Sequence, residues 1–360
     1  MYYIRVLPYL HGRVIISAAD SGETVYVPVC QSRPESDAQD SRTGLDNFLS
    51  EEKKKMKKSI AFFMISMLLI GLTGCQNSQN QEKATEASTE TAASSTAASV
   101  KTVSKGDVEM DYCVFGSGKK TFVILPGLSV HSVMGLADSI ADAYKDFAEE
   151  YTVYVFDRSK NLKEGYTVKN MAEDTAVAME ALHIKDADIF GASQGGMIAM
   201  YVAIDHPELV HKMVLGSTLA KPNDTFDQIV DEWLQLAEKK DEKGLLESFV
   251  DNVYSEATLK AYRETLISSN EGITDEEYQR FIIMAQACQT FNCYDQLSSI
   301  QCPVLVLGAE NDQIVTAEGS KQIAEALDCE IYLYDKNYGH GVYDEAADYK
   351  QRCLDFFSEN

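Results

Sequence analysis

From about residue 108 onwards, the chain alternates between short apolar runs and longer stretches in which apolar residues recur every three or four positions. Short runs of this kind are typical of buried strands, and the longer spacing is typical of helices that bury one face. Strands are predicted at residues 108–115, 121–125, 152–156, 187–190, 212–216, 303–307 and 330–334, with helices at 133–147, 168–182, 193–204, 317–327 and from about 342. This alternation favours an α/β fold, with a mostly parallel sheet covered by helices on both faces.

Between residues 219 and 300 the alternation stops, and only helical patterns remain. Helices are predicted there at residues 225–237, 243–253, 257–269 and 275–290. The segment lies between two predicted strands, so we expect an all-helical cap inserted into the α/β domain. In open α/β sheets, ligands bind at the carboxyl ends of the strands. We expect the cap to lie over that edge.

The amino end carries a pattern typical of export. A basic run at residues 53–58 precedes an apolar stretch at 60–71 and then Leu72-Thr73-Gly74-Cys75. About twelve apolar residues suit a secretory signal, because a membrane span needs about twenty. The segment 56–75 resembles a bacterial lipoprotein signal peptide. The resemblance implies lipid attachment at Cys75 and an exported bacterial protein anchored on the outer face of the cytoplasmic membrane.

The segments on either side of this signal are not predicted to fold. Residues 1–55 have no convincing periodic pattern, and we interpret them as an upstream extension from a mis-assigned start, with Met56 as the initiator. Residues 76–101 are rich in polar residues and alanine, which cannot bury enough surface to form a core. They are predicted to be a flexible tether, and residues 102–360 to be the folded domain.

Charge and composition exclude several classes of function. The net charge of −24 and the lack of a basic run in the main body argue against nucleic-acid binding. Six cysteines lie in the folded domain without the spacing of a metal or redox motif, and no dinucleotide-binding fingerprint is present. We therefore expect neither a metal nor another cofactor. Buried free thiols are the simplest interpretation, with one disulfide, such as Cys288 with Cys293, left open.

The strongest candidate for chemistry is Ser193. It lies where the predicted strand at 187–190 turns into a helix, in the sequence Gly191-Ala-Ser-Gln-Gly-Gly196. Such a tight turn forces the central residue into a strained conformation that exposes its side chain. Small neighbours are needed there, because a Cβ would collide with the opposing arm of the turn. The first helical N–H groups would then point at charge that develops beside the serine oxygen.

A serine hydroxyl needs a base, and the base needs an acid to orient it. Of the six histidines, His340 fits best, because it lies in a glycine-flanked loop after the last predicted strand. Asp312 is the preferred acid, since it follows the strand at 303–307 at the same edge. Glu310 and Asp335 are the weaker alternatives. The order Ser193, Asp312, His340 is the one expected of α/β-hydrolases.

With these motifs, residues 102–360 resemble the α/β-hydrolase family with a helical cap. The resemblance rests on Leu125-Pro-Gly-Leu128, Gly191-Ala-Ser-Gln-Gly-Gly196, His206-Pro-Glu-Leu-Val210, the stretch 302–312 and Gly339-His340. Two positions depart from the family pattern. Pro126-Gly127 stands where His-Gly is common, and the usual glycines are absent after Asp157-Arg158.

The resemblance implies a serine hydrolase, with the N–H groups of Leu128 and Gln194 forming an oxyanion hole. Our first choice is a carboxylesterase that acts on small acyl esters through an acyl-enzyme. An amidase or aminopeptidase, a thioesterase and a non-catalytic surface binding lipoprotein remain alternatives, since fold and triad do not determine the leaving group. A solute-binding lipoprotein is disfavoured by the single run of alternating strands and helices. The implied partners are a small acyl substrate and the membrane lipid at Cys75, and the oligomeric state is open.

Overall fold

The computed structural model describes residues 97–359 and three short strands near the amino end. These strands, Ile4–Val6 (β1), Arg13–Ala18 (β2) and Thr24–Pro28 (β3), form an antiparallel sheet in chain order. They belong to the unit Met1–Lys58, which is separate from the unit Ser59–Asn360. The sequence analysis predicts no strand in this segment, because the strands are short and no regular pattern of apolar positions extends through it.

The proposed lipoprotein signal, Cys75 and most of the proposed tether lie outside the described residues. Within the described part of the chain, no helix has both the length and the apolar character needed to cross a membrane.

An eight-stranded sheet forms the centre of the larger unit. Its strands are Ser99–Lys105 (β4), Val108–Phe115 (β5), Lys120–Leu125 (β6), Tyr151–Ser159 (β7), Ala187–Ala192 (β8), Val210–Gly216 (β9), Val304–Ala309 (β10) and Glu330–Tyr334 (β11). Their order in the sheet is β11-β10-β9-β8-β6-β7-β5-β4. Neighbours from β11 to β7 in this order pair in parallel, and the pairs β7 with β5 and β5 with β4 are antiparallel. This arrangement confirms the predicted mostly parallel sheet.

Strand β4 was not predicted, and it begins within the segment assigned to the tether. Only Val103 of its seven residues is buried, so the strand lacks the apolar run by which buried strands are recognised. It lies at the edge of the sheet and is held there by pairing along β5. The eight-stranded sheet therefore includes residues from Ser99 onwards, a few positions before residue 102.

Helices cover both faces of the sheet, and each face has its own apolar core. The helices are Ala137–Ala143 (α1), Val168–Ala181 (α2), Gln194–Asp205 (α3), Asp224–Glu238 (α4), Glu242–Val253 (α5), Glu256–Ser268 (α6), Asp275–Gln289 (α7), Thr316–Leu327 (α8), Val342–Glu345 (α9) and Tyr349–Ser358 (α10). The predicted helix at 133–147 is broken into α1 and flanking 3-10 turns. The predicted closing helix is two helices, α9 and α10.

The helices α4 to α7 lie between β9 and β10, where the sequence predicted the cap. Each begins after a residue whose side chain accepts a hydrogen bond from the first turn, namely Asn223, Asp241, Ser255 and Thr274. Helix α4 buries Phe226, Val230 and Trp233 along one side. The all-helical cap is therefore confirmed, with bounds close to those expected.

All six cysteines of the described range are free thiols, so Cys288 and Cys293 form no disulfide. Both are buried, and burial raises the pKa of each thiol to about 12. They are therefore protonated and unreactive near neutral pH, as expected for cysteines that serve as packing residues.

The turn between β8 and α3 is packed too tightly for side chains at its glycines. A Cβ on Gly191 would lie 2.5 Å from the carbonyl oxygen of Gly195, on the opposing arm of the turn. A Cβ on Gly195 would lie 1.8 Å from the carbonyl oxygen of Leu125, at the end of the neighbouring strand β6. The glycines therefore let the turn close on itself and on β6.

Replacing Gly195 by alanine should destabilise the fold by about 3 kcal/mol or more, because backbone atoms of two elements would have to move apart. The matched control is Gly135→Ala, since a Cβ there meets nothing within 4 Å. We expect the control to lie within about 0.5 kcal/mol of wild type. Urea unfolding of the three proteins measures the difference, and equal stability of Gly195→Ala and wild type would contradict this packing argument.

Candidate active site

Ser193 occupies the turn between β8 and α3 with φ 51° and ψ −119°. This conformation is rare for a residue with a side chain and costs about 1–3 kcal/mol. Hydrogen bonds hold it in place: the N–H of Ser193 donates to the carbonyl oxygen of Gly216 at 2.8 Å, and the Thr218 hydroxyl donates to the Ser193 carbonyl oxygen at 2.8 Å. The strained turn predicted from the sequence is present, and Ser193 contributes to the wall of a pocket.

His340 and Asp312 form a buried hydrogen-bonded pair. His340 lies in the loop between β11 and α9, and its Nδ1 is 2.9 Å from Oδ2 of Asp312. The other carboxylate oxygen of Asp312 accepts the N–H groups of Ile314 and Val315 at 2.9 and 3.0 Å. Both side chains are almost fully buried. The carboxylate is therefore fixed from one side, and it fixes the orientation of the imidazole from the other.

The remaining candidates are placed elsewhere or already have partners. Glu310 and Asp335 are exposed, which leaves Asp312 as the acid that contacts His340.

The other histidines are exposed or have other partners. His183 is exposed, His206 contacts Glu173 at 2.9 Å, and His211 contacts Asp188 at 2.7 Å. His11 lies outside the described residues. Among the sequence candidates, Asp312 and His340 thus contact each other, and His340 and Ser193 line the same pocket.

The loop after β6 lies directly against Ser193. A Cβ on Gly127 would be 3.2 Å from the Cβ of Ser193 and 3.8 Å from its Oγ. Within residues 97–359, the N–H groups of Leu128 and Gln194 donate to no protein acceptor. Two unpaired donors beside a half-buried serine suit the binding of an anionic oxygen.

A buried cation joins the two arms that carry these donors. Nε of Arg158, at the end of β7, donates to the side-chain oxygen of Gln194 at 3.1 Å, and its guanidinium also donates to the carbonyl oxygen of Pro126 at 2.5 Å. Burial lowers the pKa of Arg158 to about 10, so the group stays charged near neutral pH. One cation therefore links the loop at Pro126 to the turn at Ser193.

The same network reaches the cap. The amide nitrogen of Gln194 donates to the carbonyl oxygen of Met284 at 2.9 Å and to the sulfur of Cys288 at 3.0 Å. Asp157 accepts hydrogen bonds from Arg280 of α7 and from Ser132, both at 2.5 Å. The sequence indicated a role only for the backbone of Gln194. No local pattern indicated the role of its side chain, because its partners Arg158, Met284 and Cys288 lie far away along the chain.

A pocket of about 230 Å³ opens beside Ser193. Apolar side chains of the cap form one wall, namely Phe226, Val230, Trp233 and Phe249. Gly127, Leu128 and His340 contribute to the same pocket. The arrangement places an apolar space next to a hydroxyl, an imidazole and two free N–H donors, which is what an acyl-transfer reaction requires.

Side chains suited to metal binding also meet at one exposed position. Glu180, His206 and Glu208 are the one such group within residues 97–359. Glu180 already pairs with Lys105 at 2.7 Å, and His206 already contacts Glu173 at 2.9 Å. These contacts explain the grouping without an ion.

The sequence of this chain is similar to those of known proteins. A protein-family model for the alpha/beta hydrolase fold matches residues 120–347. The "Putative carbamate hydrolase RutD" of Caulobacter sp. (strain K31) is 25% identical over 173 residues, 47% of this chain and 64% of the relative, so the chain spans less than two thirds of that relative's length. The "Putative non-heme bromoperoxidase BpoC" of Mycobacterium tuberculosis is 29% identical over 209 residues, 54% of this chain and 77% of the relative.

A solved structure agrees in fold. MGS-M2, an alpha/beta hydrolase enzyme from a Medee basin deep-sea metagenome library, matches with a TM-score of 0.65 at 22% sequence identity. The match covers 72% of this chain and 98% of that chain. At this identity, the likeness concerns the arrangement of the backbone.

One ion pair connects the cap to the segment after the loop at Gly127. Nδ1 of His131 contacts Glu277 of α7 at 2.7 Å, and Nε2 contacts the carbonyl oxygen of Asn270 at 2.9 Å. Burial acts to lower the pKa of His131, but these two contacts outweigh it and raise the pKa. For Glu277, burial acts to raise the pKa, and hydrogen bonds from His131 and Thr274 lower it. With an acceptor at each ring nitrogen, the charged form of His131 fits best.

This pair should stabilise the protein in a defined pH window. The contribution of His131 is complete below its unfolded pKa, roughly 6.5, and is lost as pH rises through the raised folded pKa. The contribution of Glu277 is complete above its unfolded pKa, roughly 4.3, and is lost as pH falls through the lowered folded pKa. A double-mutant cycle with His131→Gln and Glu277→Gln should give a coupling of about 1 kcal/mol between these values. A coupling independent of pH up to about 9 would contradict this account.

Proposed function

The chain belongs to the alpha/beta hydrolase family, and from that premise we propose that it is a serine hydrolase with Ser193 as nucleophile, His340 as base and Asp312 as the orienting acid. The observation that carries the proposal is the buried 2.9 Å contact between His340 Nδ1 and Asp312 Oδ2 in a pocket that Ser193 also lines. A carboxylate in this position holds the imidazole in the tautomer whose Nε2 can accept a proton.

In the proposed reaction, Nε2 of His340 takes the hydroxyl proton of Ser193 as the serine oxygen attacks an acyl carbonyl carbon. The carbonyl oxygen becomes an oxyanion and accepts hydrogen bonds from the N–H groups of Leu128 and Gln194. Each such donor contributes roughly 3 kcal/mol of transition-state stabilisation. His340 then gives the proton to the leaving group, and water releases the acyl group by the reverse sequence of proton transfers.

We propose a carboxylic ester with a small acyl group as the substrate. The largely apolar pocket favours an uncharged acyl chain close to Ser193. The names of the two relatives refer to different reactions, so they do not choose between leaving groups. Amide and thioester cleavage need the same nucleophile and the same oxyanion donors, and they remain the alternatives within this proposal.

We also propose that the enzyme is exported and anchored by lipid at Cys75. The support is the basic run at 53–58, the apolar stretch at 60–71 and the Leu-Thr-Gly-Cys sequence that ends at Cys75. In this proposal the polar segment that follows holds the hydrolase domain clear of the lipid surface.

Ser193→Ala should lower ester hydrolysis by at least about 10³-fold, because no other group can form the acyl-enzyme. The measurement uses p-nitrophenyl esters of graded chain length together with a fluorophosphonate probe, which labels only an activated serine. Ser268→Ala is the control, since this exposed serine lies on α6 outside the pocket and its hydroxyl donates to the carbonyl oxygen of Thr265 at 3.2 Å. We expect the control to keep its labelling.

These experiments also separate the alternative functions. Wild-type protein that reacts with the probe but cleaves only amides or thioesters would support the hydrolase and refute the ester assignment. Wild-type protein that fails to react with the probe would favour a binding protein with an inert triad. Undiminished esterase activity in Ser193→Ala would refute the choice of nucleophile.

Cys75→Ser should release the protein from the membrane, because the hydroxyl cannot form the thioether to the lipid. Fractionation of the bacterial cells that produce it, with radiolabelled fatty acid as tracer, measures both the location and the lipid. Cys113→Ser is the matched control, since that thiol lies buried in the folded domain. Unchanged membrane association and labelling of Cys75→Ser would contradict the anchor.

A further inference from the structure

The pocket beside Ser193 does not end at the cap. Its lining also includes residues of α1 and α9. Ser139 of α1, Tyr144 directly after α1, and Tyr343 and Asp344 of α9 bring polar atoms to this end of the pocket. A substrate that fills the whole pocket would therefore meet a polar group beyond an apolar stretch.

Asp344 is the charged group at this end of the pocket. Within residues 97–359 its carboxylate makes no hydrogen bond or ion pair, although its backbone N–H donates to the carbonyl oxygen of Gly341 at 2.9 Å. Its side chain is exposed, yet burial raises the pKa of the carboxyl. Asp344 lines the pocket, and solvent still reaches it there.

The neighbouring charges leave the carboxylate available to a ligand. Burial raises the pKa of Asp344 and outweighs the lowering by Lys350, while Glu345 acts in the same direction as burial. The ammonium of Lys350 donates to the carbonyl oxygen of Tyr343 at 2.9 Å and makes no direct ion pair with Asp344 within residues 97–359. The carboxylate of Glu345 accepts the N–H of Ser255 at 2.9 Å. Within the described part of the chain, Asp344 therefore has a cation nearby but no direct ion-pair partner.

Aromatic rings surround the same space. Tyr144, Tyr254 and Tyr343 line the pocket together with Asp344. Aromatic faces attract cations, and a carboxylate among them provides both charge and hydrogen-bond acceptors. An anionic ligand would be repelled by Asp344, and a purely apolar one would leave the carboxylate desolvated without a partner.

We propose that Asp344 is a specificity-determining residue that binds a protonated amine at the far end of the substrate's acyl chain. This inference rests on the proposed serine hydrolase and names its substrate class: acyl esters, or the corresponding amides, in which an apolar segment separates the reacting carbonyl from an ammonium group. The ammonium would donate hydrogen bonds to the Asp344 carboxylate while the apolar segment occupies the space beside Ser193.

The test compares the p-nitrophenyl ester of 6-aminohexanoic acid with that of heptanoic acid, which replaces the ammonium by a methyl group of similar size. Ser193→Ala is the blank for spontaneous breakdown of the amino ester. We expect wild type to favour the amino ester in kcat/KM by about 10-fold or more, and Asp344→Asn to lose that preference. Asp138→Asn is the matched control, because this exposed carboxylate lies on α1 outside the pocket. It should keep the preference of wild type.

A second measurement does not depend on turnover. Calorimetry with n-hexylammonium and Ser193→Ala should detect binding that weakens by about 10-fold or more when Asp344→Asn is added. Equal binding by the two proteins, or no binding by either, would overturn the inference.

The two proposals fail in different ways. Wild type that hydrolyses both esters with a ratio unaffected by Asp344→Asn would overturn the amine site and leave the serine hydrolase standing. Wild type that cleaves neither ester and does not react with the fluorophosphonate probe would refute the hydrolase, while binding of hexylammonium that depends on Asp344 would still support a site for amines.

Discussion

The site depends on the conformation of one residue, because the turn at Ser193 is held at a positive φ that an unconstrained chain would leave. The turn persists because its surroundings allow no relaxation. Glycines at 191, 195 and 196 let it press against itself, against β6 and against Thr218. Hydrogen bonds from Ser193 to β9 and from Thr218 to Ser193 hold the backbone of Ser193 in this conformation. The serine oxygen therefore projects from the edge of the sheet in one direction.

A second constraint is the buried guanidinium of Arg158. A buried cation must keep its hydrogen-bond acceptors, because leaving it unpaired costs several kcal/mol. Its acceptors lie on the loop at Pro126 and on the side chain of Gln194, so separating these arms would expose the charge to an apolar interior. Gln194 and Asp157 then extend the network to helix α7. The cap is thereby attached to the elements that bear the proposed oxyanion donors.

The proposed reacting groups and the walls of the pocket lie on different elements of the fold. The proposed reacting groups lie on loops at the carboxyl ends of the strands, which are fixed by the sheet. The space for the substrate is bounded by the cap on one side and by α1 and α9 on the other. The chemistry can therefore stay constant while either wall changes the preferred substrate. This is the usual relation between a fold and the many functions it supports.

Local sequence was enough to predict the strands from β5 onwards, the cap and the turn at Ser193. Each of these depends on apolar spacing, capping residues or glycine positions that act within a few residues of one another. The edge strand β4 was missed because a single buried residue leaves no pattern, and its position depends on pairing with β5. The choice of Asp312 over Glu310 and Asp335 was argued from its position in the chain, but the contact with His340 exists only in the folded chain. The bonds of Arg158 to Gln194 and the opening of the pocket towards Asp344 could not be inferred at all. They join residues 36 or more positions apart, and such contacts are decided by how whole elements pack rather than by any local preference.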